Sequence, residues 1–308
     1  MLDVRRLKVL REVVARGSFS AAAEALSFTQ SAISQHVAAL ERETATKLVE
    51  RSPRGVRPTE AGRALVEHAD AILARIDAAE EELAAIKGLR GGRLRLACFQ
   101  SAGATLVPRA VAQFHERHPE VDLGMIEAEP EDAREPLRSG EIDLALVYDF
   151  ESLPGMLDSD LEVTHLIDDP YDVVLPAEHR LAKRRGLKLA DLEEEPWVAS
   201  TSISGCRRIT ERACQEAGFE PRIAFEADET MAAQSLVAAG VGVSLLPRLG
   251  LTTVHPGVIA RSLGRGAPVR RIWTARQSGA YHSPASEAMV QILCDVAGEF
   301  SGSDLAVA

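Results

Sequence analysis

The chain has 308 residues and a formal net charge of -11, with 46% hydrophobic and 26% charged residues. This length exceeds what one hydrophobic core usually organises, so we expect two or three domains. The acidic balance excludes a protein that coats nucleic acid or anionic membrane along its whole length. The charge is uneven, however, because the first 58 residues carry ten Lys and Arg against six Asp and Glu, which leaves this segment at +4 and the remainder at -15. We therefore expect a small basic module for a polyanion, joined to an acidic body.

Two apolar stretches bear on targeting and membrane insertion. Charged residues interrupt the apolar N-terminal segment, and the longest apolar stretch, residues 236–247, is broken by Gly240 and Gly242. Neither fits a signal peptide or a membrane span, so we expect a cytoplasmic protein with no membrane partner. The cysteines have neither zinc-ligand spacing nor the pattern of a disulfide framework, and we expect no metal and no cofactor.

The N-terminal segment has the spacing of three short helices. Asp3 is predicted to cap the first helix, and Gly17 to end it in a left-handed conformation. Ser20 is predicted to cap a short second helix over residues 21–26, and Thr29 a third helix to about Glu43. Two helices joined by so short a turn indicate a helix-turn-helix.

The third helix has one apolar and one polar face. Ile33, Val37 and Leu40 form an apolar stripe, and the opposite face is small, polar and nearly free of acids. That face comprises Ser31, Gln35, Ala38 and Arg42, with Ser34 beside it. Such a face suits a DNA major groove, where Gln and Ser hydrogen-bond to bases or phosphates. The next segment is predicted to be a basic hairpin, a wing that presents Arg51, Arg54 and Arg57 to phosphates or the minor groove.

These residues resemble the LysR-type transcriptional regulators. The resemblance covers the whole first 62 residues without a gap and is carried by residues 17–26, 29–41, 48–51 and 58–62, with Ser31 where the family often has Pro and Val49 where it often has Phe. It implies double-stranded promoter DNA as a partner, and RNA polymerase is a further candidate partner. The expected DNA-contacting residues are Ser20, Thr29, Gln30, Ser31, Ser34, Gln35, Arg51, Arg54 and Arg57. His36 is expected nearer the buried side of the helix, as a packing or phosphate contact.

A long helix is predicted to follow, from a cap at Thr59 to Lys87. Its apolar residues alternate steps of four and three, which is the seam of a coiled coil. They are Leu65, Ala69, Ile72, Ile76, Ala79, Leu83 and Ile86. Such a helix has too little protein beside it to be an ordinary core helix, so we expect a second copy of the chain as its partner. The resemblance agrees and implies a dimer, with a tetramer as the larger assembly. A helix folded back on its own body is the alternative.

The acidic body is predicted to alternate strands and helices, which indicates a sheet covered by helices. The resemblance implies a two-lobed, periplasmic-binding-protein-like body in which the chain crosses near Leu166 and Ile167. The expected fold is α/β overall, with an N-terminal winged helix-turn-helix (1–58), a long linker helix (59–88) and a two-lobed effector-binding domain (93–308). The first lobe is expected to span about 93–165 and 268–308, and the second about 166–267.

Ligands of such sheets bind beyond the carboxyl ends of the strands. This rule places a small-molecule effector between the lobes. The expected contacts are Gln100, Ser101, Ala102, Glu129, Tyr148, Asp149, Thr201 and Ser202. The hydroxyls and free amides there favour an anion, but Glu129 and Asp149 would repel an acid, so amine-bearing or neutral effectors stay open.

Three other functions fit the sequence less well. An α/β enzyme is disfavoured because no dinucleotide fingerprint, phosphate loop or nucleophile elbow is present. A thiol redox sensor using Cys206 and Cys214 would need the helix between them to unwind, since eight residues of helix span about 12 Å. Neighbouring arginines could still lower a thiol pKa there. An independent solute-binding module conflicts with the lack of an export signal. We therefore expect a promoter-binding regulator controlled by a small molecule.

Overall fold

The computed structural model describes residues 2–52, 55–86, 92–150, 160–202 and 204–303. The helices are α1 (Val4–Arg16), α2 (Phe19–Ala25), α3 (Gln30–Thr44), α4 (Glu60–Ile86), α5 (Gln100–Gly103), α6 (Leu106–Arg117), α7 (Pro130–Ser139), α8 (Gly205–Glu216), α9 (Thr230–Ala238) and α10 (Pro284–Ser303). The strands are β1 (Val49–Ser52), β2 (Gly55–Pro58), β3 (Gly92–Cys98), β4 (Val121–Glu127), β5 (Leu144–Phe150), β6 (Leu161–Pro176), β7 (Pro196–Ala199), β8 (Arg222–Glu226), β9 (Ser244–Pro247), β10 (Val258–Ser262) and β11 (Val269–Gln277). Short 3-10 turns include Leu189–Leu192 and Arg248–Leu251.

The chain divides into two compact units. One contains α1 to α4 with β1 and β2, together with Arg134–Asp143 and Gly279–Ser283. The other, which we call the body, contains the remaining described elements. Among the described helices, none combines the length and the apolar composition that crossing a membrane requires.

Helix caps explain where the first three helices begin and end. Asp3 accepts a hydrogen bond from the Arg5 amide at 2.8 Å, and Gly17 ends α1 with φ 62°, so both predictions are confirmed. Thr29 caps α3 as predicted. The prediction for Ser20 was wrong, because Ser18 caps α2 and accepts from the Ala21 amide at 3.3 Å. Ser20 therefore lies inside α2, where it is exposed.

The core of the first unit is formed by α1, α2 and α3 with the start of α4. Ile33, Val37 and Leu40 of α3 are buried there, as the sequence predicts. Gly62 of α4 lies directly against the backbone carbonyl of Leu48, and a Cβ on this glycine would collide with that oxygen. The same oxygen accepts a hydrogen bond from the Thr59 amide at 3.0 Å. Only glycine fits at this contact between the wing and α4.

Helix α4 begins at the predicted cap, where the Thr59 hydroxyl accepts from the Gly62 amide at 3.0 Å. Its first part packs on its own chain, because Leu65 and Ala69 contact the core of the first unit. The expectation that this helix has little protein beside it is therefore wrong for its first half. Farther along, Ile72 is 38% exposed and Leu83 is 57% exposed.

The body is built on a mixed sheet. Strand β3 lies between β4 and β5 and is parallel to both, while β11 is antiparallel to β5 and β6. The strand order is β10-β6-β11-β5-β3-β4, with β9 also paired to β6. Helices α6 and α10 pack against each other and contribute apolar side chains to the core of this sheet. The predicted α/β fold class is confirmed.

One long strand carries the chain from the first lobe to the second. Strand β6 pairs with β11 as far as Pro170 and with β9 and β10 from Tyr171 onward. The change of partner lies later along the chain than the crossing predicted near Leu166 and Ile167. The first half of β6 and the whole of β10 were not predicted from the sequence.

The second lobe adds a small parallel pair, β7 and β8, with α8 and α9. Trp197 of β7 is fully buried and bridges to Val243 just before β9. Gly242 precedes that bridge, and a Cβ there would lie 2.6 Å from the Pro196 carbonyl oxygen. The close approach of the two backbones explains why glycine stands here.

Candidate nucleic-acid surface and ligand cleft

The outward face of α3 is polar and open. Gln30, Ser31 and Gln35 are exposed, as are Ala38 and Arg42 farther along. The Thr29 side chain accepts from the Ala32 amide at 3.2 Å and lies 3.0 Å from the Ser31 hydroxyl, which fixes the first turn. Ser34 is half-buried beside this face. The sequence thus placed these side chains on one surface, and contact with DNA stays a prediction.

Two aromatic rings stand at the start of α3. Phe28 is 51% exposed, although it is a large apolar side chain, and its ring centroid lies 5.9 Å from that of His36. His36 is half-buried, which agrees with a packing role. Phe28 was not predicted as a functional residue from the sequence. Its position could have indicated this exposure, because a large apolar residue in the short turn before α3 has no core to pack into.

The predicted wing is a hairpin of β1 and β2, in which Val49 pairs with Pro58 and Arg51 with Val56. Arg57 lies on β2 and is exposed. Arg54 lies outside the described residues. Exposed cations that make no ion pair in the described part of the chain also include Arg5 and Lys8 on α1.

Glu41 of α3 holds the start of the wing. One carboxylate oxygen accepts the Leu48 amide at 3.0 Å and the Val49 amide at 3.5 Å, and the other pairs with the Lys47 ammonium at 2.9 Å. Burial by itself would raise the pKa of Glu41, but these donors lower it below its ordinary value. The ionised carboxylate therefore ties the hairpin to the end of the helix.

A buried ion pair lies where the body's two lobes meet. The Arg270 guanidinium donates to Asp169 at 2.8 Å and to the Ser101 hydroxyl at 2.5 Å, and Asp169 also accepts the Leu249 amide at 3.0 Å. Asp169 is 0% exposed and Arg270 is 2% exposed. Burial alone would lower the pKa of Arg270, but the neighbouring carboxylate raises it above its ordinary value. This pair connects α5 in the first lobe to the 3-10 turn Arg248–Leu251 in the second.

A chain of polar contacts runs beside that pair. The Tyr148 hydroxyl donates to Glu129 at 2.7 Å, and the Cys206 sulfur lies 3.7 Å from the Tyr148 oxygen and 3.3 Å from the Tyr171 oxygen. Burial raises the pKa of Glu129, although Tyr148 and Arg270 oppose this shift. Burial also raises the pKa of both tyrosines, so both stay protonated and act as donors. Arg270, Asp169 and Tyr171 were not predicted from the sequence.

Several other residues that were predicted to contact the effector lie in positions less favourable for that contact. Asp149 follows Tyr148 on β5 and therefore points to the opposite face, where it binds Arg271 and the Trp273 indole. The structure does not bring Asp149 to the cleft. The Thr201 hydroxyl lies 3.0 Å from Asp228 within the second lobe, and Ser202 is exposed. Ala102 is fully buried behind Ser101.

A cavity of about 430 Å³ opens between the lobes next to Ser101. Gln100 and Ser101 line it from one side, and Thr230 and Leu249 from the other. The Thr230 amide donates to the Gln100 side chain at 3.3 Å, which is a direct hydrogen bond across the cleft. Among the described residues that line the cavity are the carboxylates of Glu127 and Glu229, and none of these lining residues is Lys or Arg.

The cysteines show no paired redox site within the described part of the chain. Cys214 is fully buried, and burial raises the pKa of its thiol to about 12. Cys206 is half-buried among the tyrosines at the start of the same helix. The protonated Cys214 thiol is a poor nucleophile, so a redox pair that uses Cys214 is not favoured.

These two units define a class of protein: a winged helix-turn-helix followed by a two-lobed body with a ligand-sized cleft, as in regulators of transcription that respond to small molecules. The family models match accordingly. Residues 4–63 match the bacterial regulatory helix-turn-helix of the lysR family, and residues 87–298 match the LysR substrate binding domain. The chain belongs to the LysR family of transcriptional regulators.

Curated relatives match this chain over nearly its whole length and support its membership of the family. The probable HTH-type transcriptional regulator LrrA of Synechococcus elongatus is 33% identical over 97% of this chain and 98% of its own. CfxR of Cupriavidus necator, an HTH-type transcriptional regulator, is 33% identical over 98% of this chain and 94% of its own.

Solved structures share the fold. A full-length OxyR variant from Pseudomonas aeruginosa superposes with a TM-score of 0.76 at 24% identity, covering 96% of this chain and 95% of that one. Full-length CbnR, solved with its target DNA, has a TM-score of 0.68 at 23% identity, covering 96% of this chain and 100% of that one. At this identity the likeness concerns the fold and assigns no chemistry to Cys206.

Proposed function

We propose that this regulator binds promoter DNA through the outward face of α3 and the wing, and that a ligand in the inter-lobe cavity changes how the paired modules sit on DNA. The observation that carries the DNA site is the open face of Gln30, Ser31 and Gln35, with Arg42 and Arg57 exposed nearby. Short polar side chains read base edges, and guanidinium groups fix the register on phosphates. CbnR, which shares this fold, has been solved with its target DNA, and this supports DNA as the partner. We propose that Ser20, Thr29, Ser34, Arg51 and Arg54 also contact the DNA.

Fluorescence anisotropy with the DNA upstream of its own gene tests this surface. Gln35→Ala should weaken specific binding by about 1–3 kcal/mol. Arg57→Ala should weaken binding to all sequences and reduce the salt slope by about one. Lys183→Ala, an exposed cation of the body, is the control and should bind as the wild type. Full affinity of both module variants would refute the assignment.

We propose that the chain acts as a homodimer paired along α4, with a tetramer built from two such dimers. The exposed Ile72 and Leu83 lie on the predicted seam and need an apolar partner. Leu83→Glu should shift the sedimentation coefficient toward that of a smaller assembly. An unchanged assembly would place the interface elsewhere. RNA polymerase is the further partner we propose at the promoter, and the cytoplasm is the proposed compartment.

The cavity next to Ser101 is the proposed effector site, and it binds its ligand without transforming it. The carboxylates of Glu127 and Glu229 line it, while the nearby Arg270 is already neutralised by Asp169. Neutral or amine-bearing effectors fit this charge better than dianions. A ligand here would contact Ser101 and thereby the Arg270 pair, which links both lobes, and its differential affinity for two lobe arrangements would carry the signal.

A thermal-shift screen with a metabolite panel, followed by operator binding, tests the effector site. Ser101→Ala should weaken the response to any ligand that shifts the wild type, and DNA affinity without ligand should stay intact. Loss of both properties would mean that Ser101 only supports the fold.

A further inference from the structure

A second cavity, of about 780 Å³, lies in the second lobe and is separate from the inter-lobe cleft. Three segments form its walls: the 3-10 turn Leu189–Leu192, helix α8, and residues 263–269, which lead into β11. We call it the lobe-two groove. Its volume falls in the range of small-molecule sites, about 300–1,000 Å³.

The floor of the lobe-two groove is apolar. Leu187, Leu189 and Ile209 line it and are each at most 9% exposed. Val269 stands at its edge and is 37% exposed, although it is a large apolar side chain. An apolar ligand would cover this valine and remove its surface from water.

Two charged side chains line the groove, those of Lys188 and Glu216. Glu216 lines the groove but is paired with Arg212 at 2.7 Å. Lys188 also lines it and is exposed, and its ammonium makes no ion pair within the described part of the chain. A free cation above an apolar floor is complementary to a molecule with an apolar body and one negative group.

We propose that the lobe-two groove is a second ligand site, which takes a monocarboxylate with an apolar body. The carboxylate pairs with the Lys188 ammonium, and the hydrocarbon lies on Leu187, Leu189 and Ile209.

A ligand bound in this groove would also affect ligand binding in the inter-lobe cleft. Pro268 lines the groove, and its carbonyl accepts the Tyr171 amide at 2.9 Å, where β6 changes partners. Arg270 of the buried ion pair follows two residues later on β11. A ligand that favours one arrangement of this segment would alter the affinity of the cleft for its own ligand, and the effect would be reciprocal.

Isothermal titration of the purified full-length chain with octanoate tests the proposal without DNA or an effector, so its failure is distinct from failure of the proposed function. We expect one saturable site per chain. Lys188→Met should weaken octanoate by about fivefold, the factor that one charge contact at 4 Å in water supplies, and should leave 1-octanol binding unchanged. Lys183→Met, which removes an exposed cation that does not line the groove, should leave octanoate binding unchanged.

A filling substitution locates the site. Ala213 lines the groove on α8, and Ala213→Trp should remove octanoate binding. If Ala213→Trp fails to fold, Lys188→Glu tests the same site, because Lys188 is exposed and its replacement does not disturb the core. Lys188→Glu should weaken octanoate binding more than Lys188→Met does. Equal affinity of the wild type and Lys188→Glu, or binding that does not saturate, would overturn the proposal.

Discussion

Replacing Asp169 with Asn should destabilise the body by about 3–5 kcal/mol, because the Arg270 guanidinium would stay buried without its counter-charge. Asp169 is 0% exposed and Arg270 is 2% exposed, so solvent cannot replace the lost partner. The substitution keeps the size of the side chain and removes only its charge. The Leu249 amide and the guanidinium would both face a weaker acceptor. Such a loss is a large share of the 5–15 kcal/mol by which domains are typically stable.

Urea unfolding followed by tryptophan fluorescence measures this loss, since the two tryptophans of the chain, Trp197 and Trp273, both lie in the body. Asp122→Asn is the matched control, because Asp122 pairs with Arg95 at 2.6 Å but its side chain is 71% exposed, and it should cost less than about 1 kcal/mol. The double variant Asp169→Leu with Arg270→Met should recover most of the stability. A single variant no less stable than the control would refute the reasoning.

Further predictions concern other sites. Glu41→Ala should cost the first unit about 1.5–3 kcal/mol by circular dichroism, because two amides lose a charged acceptor. Since the folded pKa of Glu41 lies below its ordinary value of 4.5, this stabilisation is complete above that pH and is lost as pH falls through the folded pKa, so the variant and wild type should converge in acid. Gly62→Ala should destabilise by about 1–3 kcal/mol through collision with the Leu48 carbonyl. The control Gly298→Ala has open space in α10, so equal effects of the two substitutions would contradict the steric argument. Iodoacetamide at pH 8 should label Cys98 and Cys214 only after unfolding, because burial raises their pKa to about 11 and about 12, and rapid labelling of the folded chain would refute this.

The helix-turn-helix was predictable because its signals are local. Caps, an apolar stripe and a left-handed glycine act over a few residues, and the predictions for Asp3, Gly17 and Thr29 needed nothing else. Ser20 shows the limit of such signals. Ser18 and Ser20 are both favoured cap residues, and the structure uses Ser18, which places Phe19 in the first turn of α2, where it is 6% exposed.

The cleft was only partly predictable because its central contact joins distant residues. Asp169 and Arg270 lie 101 residues apart, and nothing in the sequence near either residue indicates the other. Asp149 was different, since the period of two along a strand already places it opposite Tyr148. The first half of β6 was missed because charged residues and Pro170 conceal a strand that is covered on one side only.

Strand β6 has a weak point where its partners change. Pro170 has no N–H and a nearly fixed φ, so the ladder lacks a donor at this position. The returning segment also passes through a proline, Pro268, whose carbonyl contacts Tyr171. Any reorientation of the lobes must therefore be absorbed by backbone rotation on either side of two stiff residues, which confines the motion to a narrow arc. Substitutions at these two prolines should widen or tilt that arc and retune the sensitivity of the regulator, while its ligand contacts stay the same.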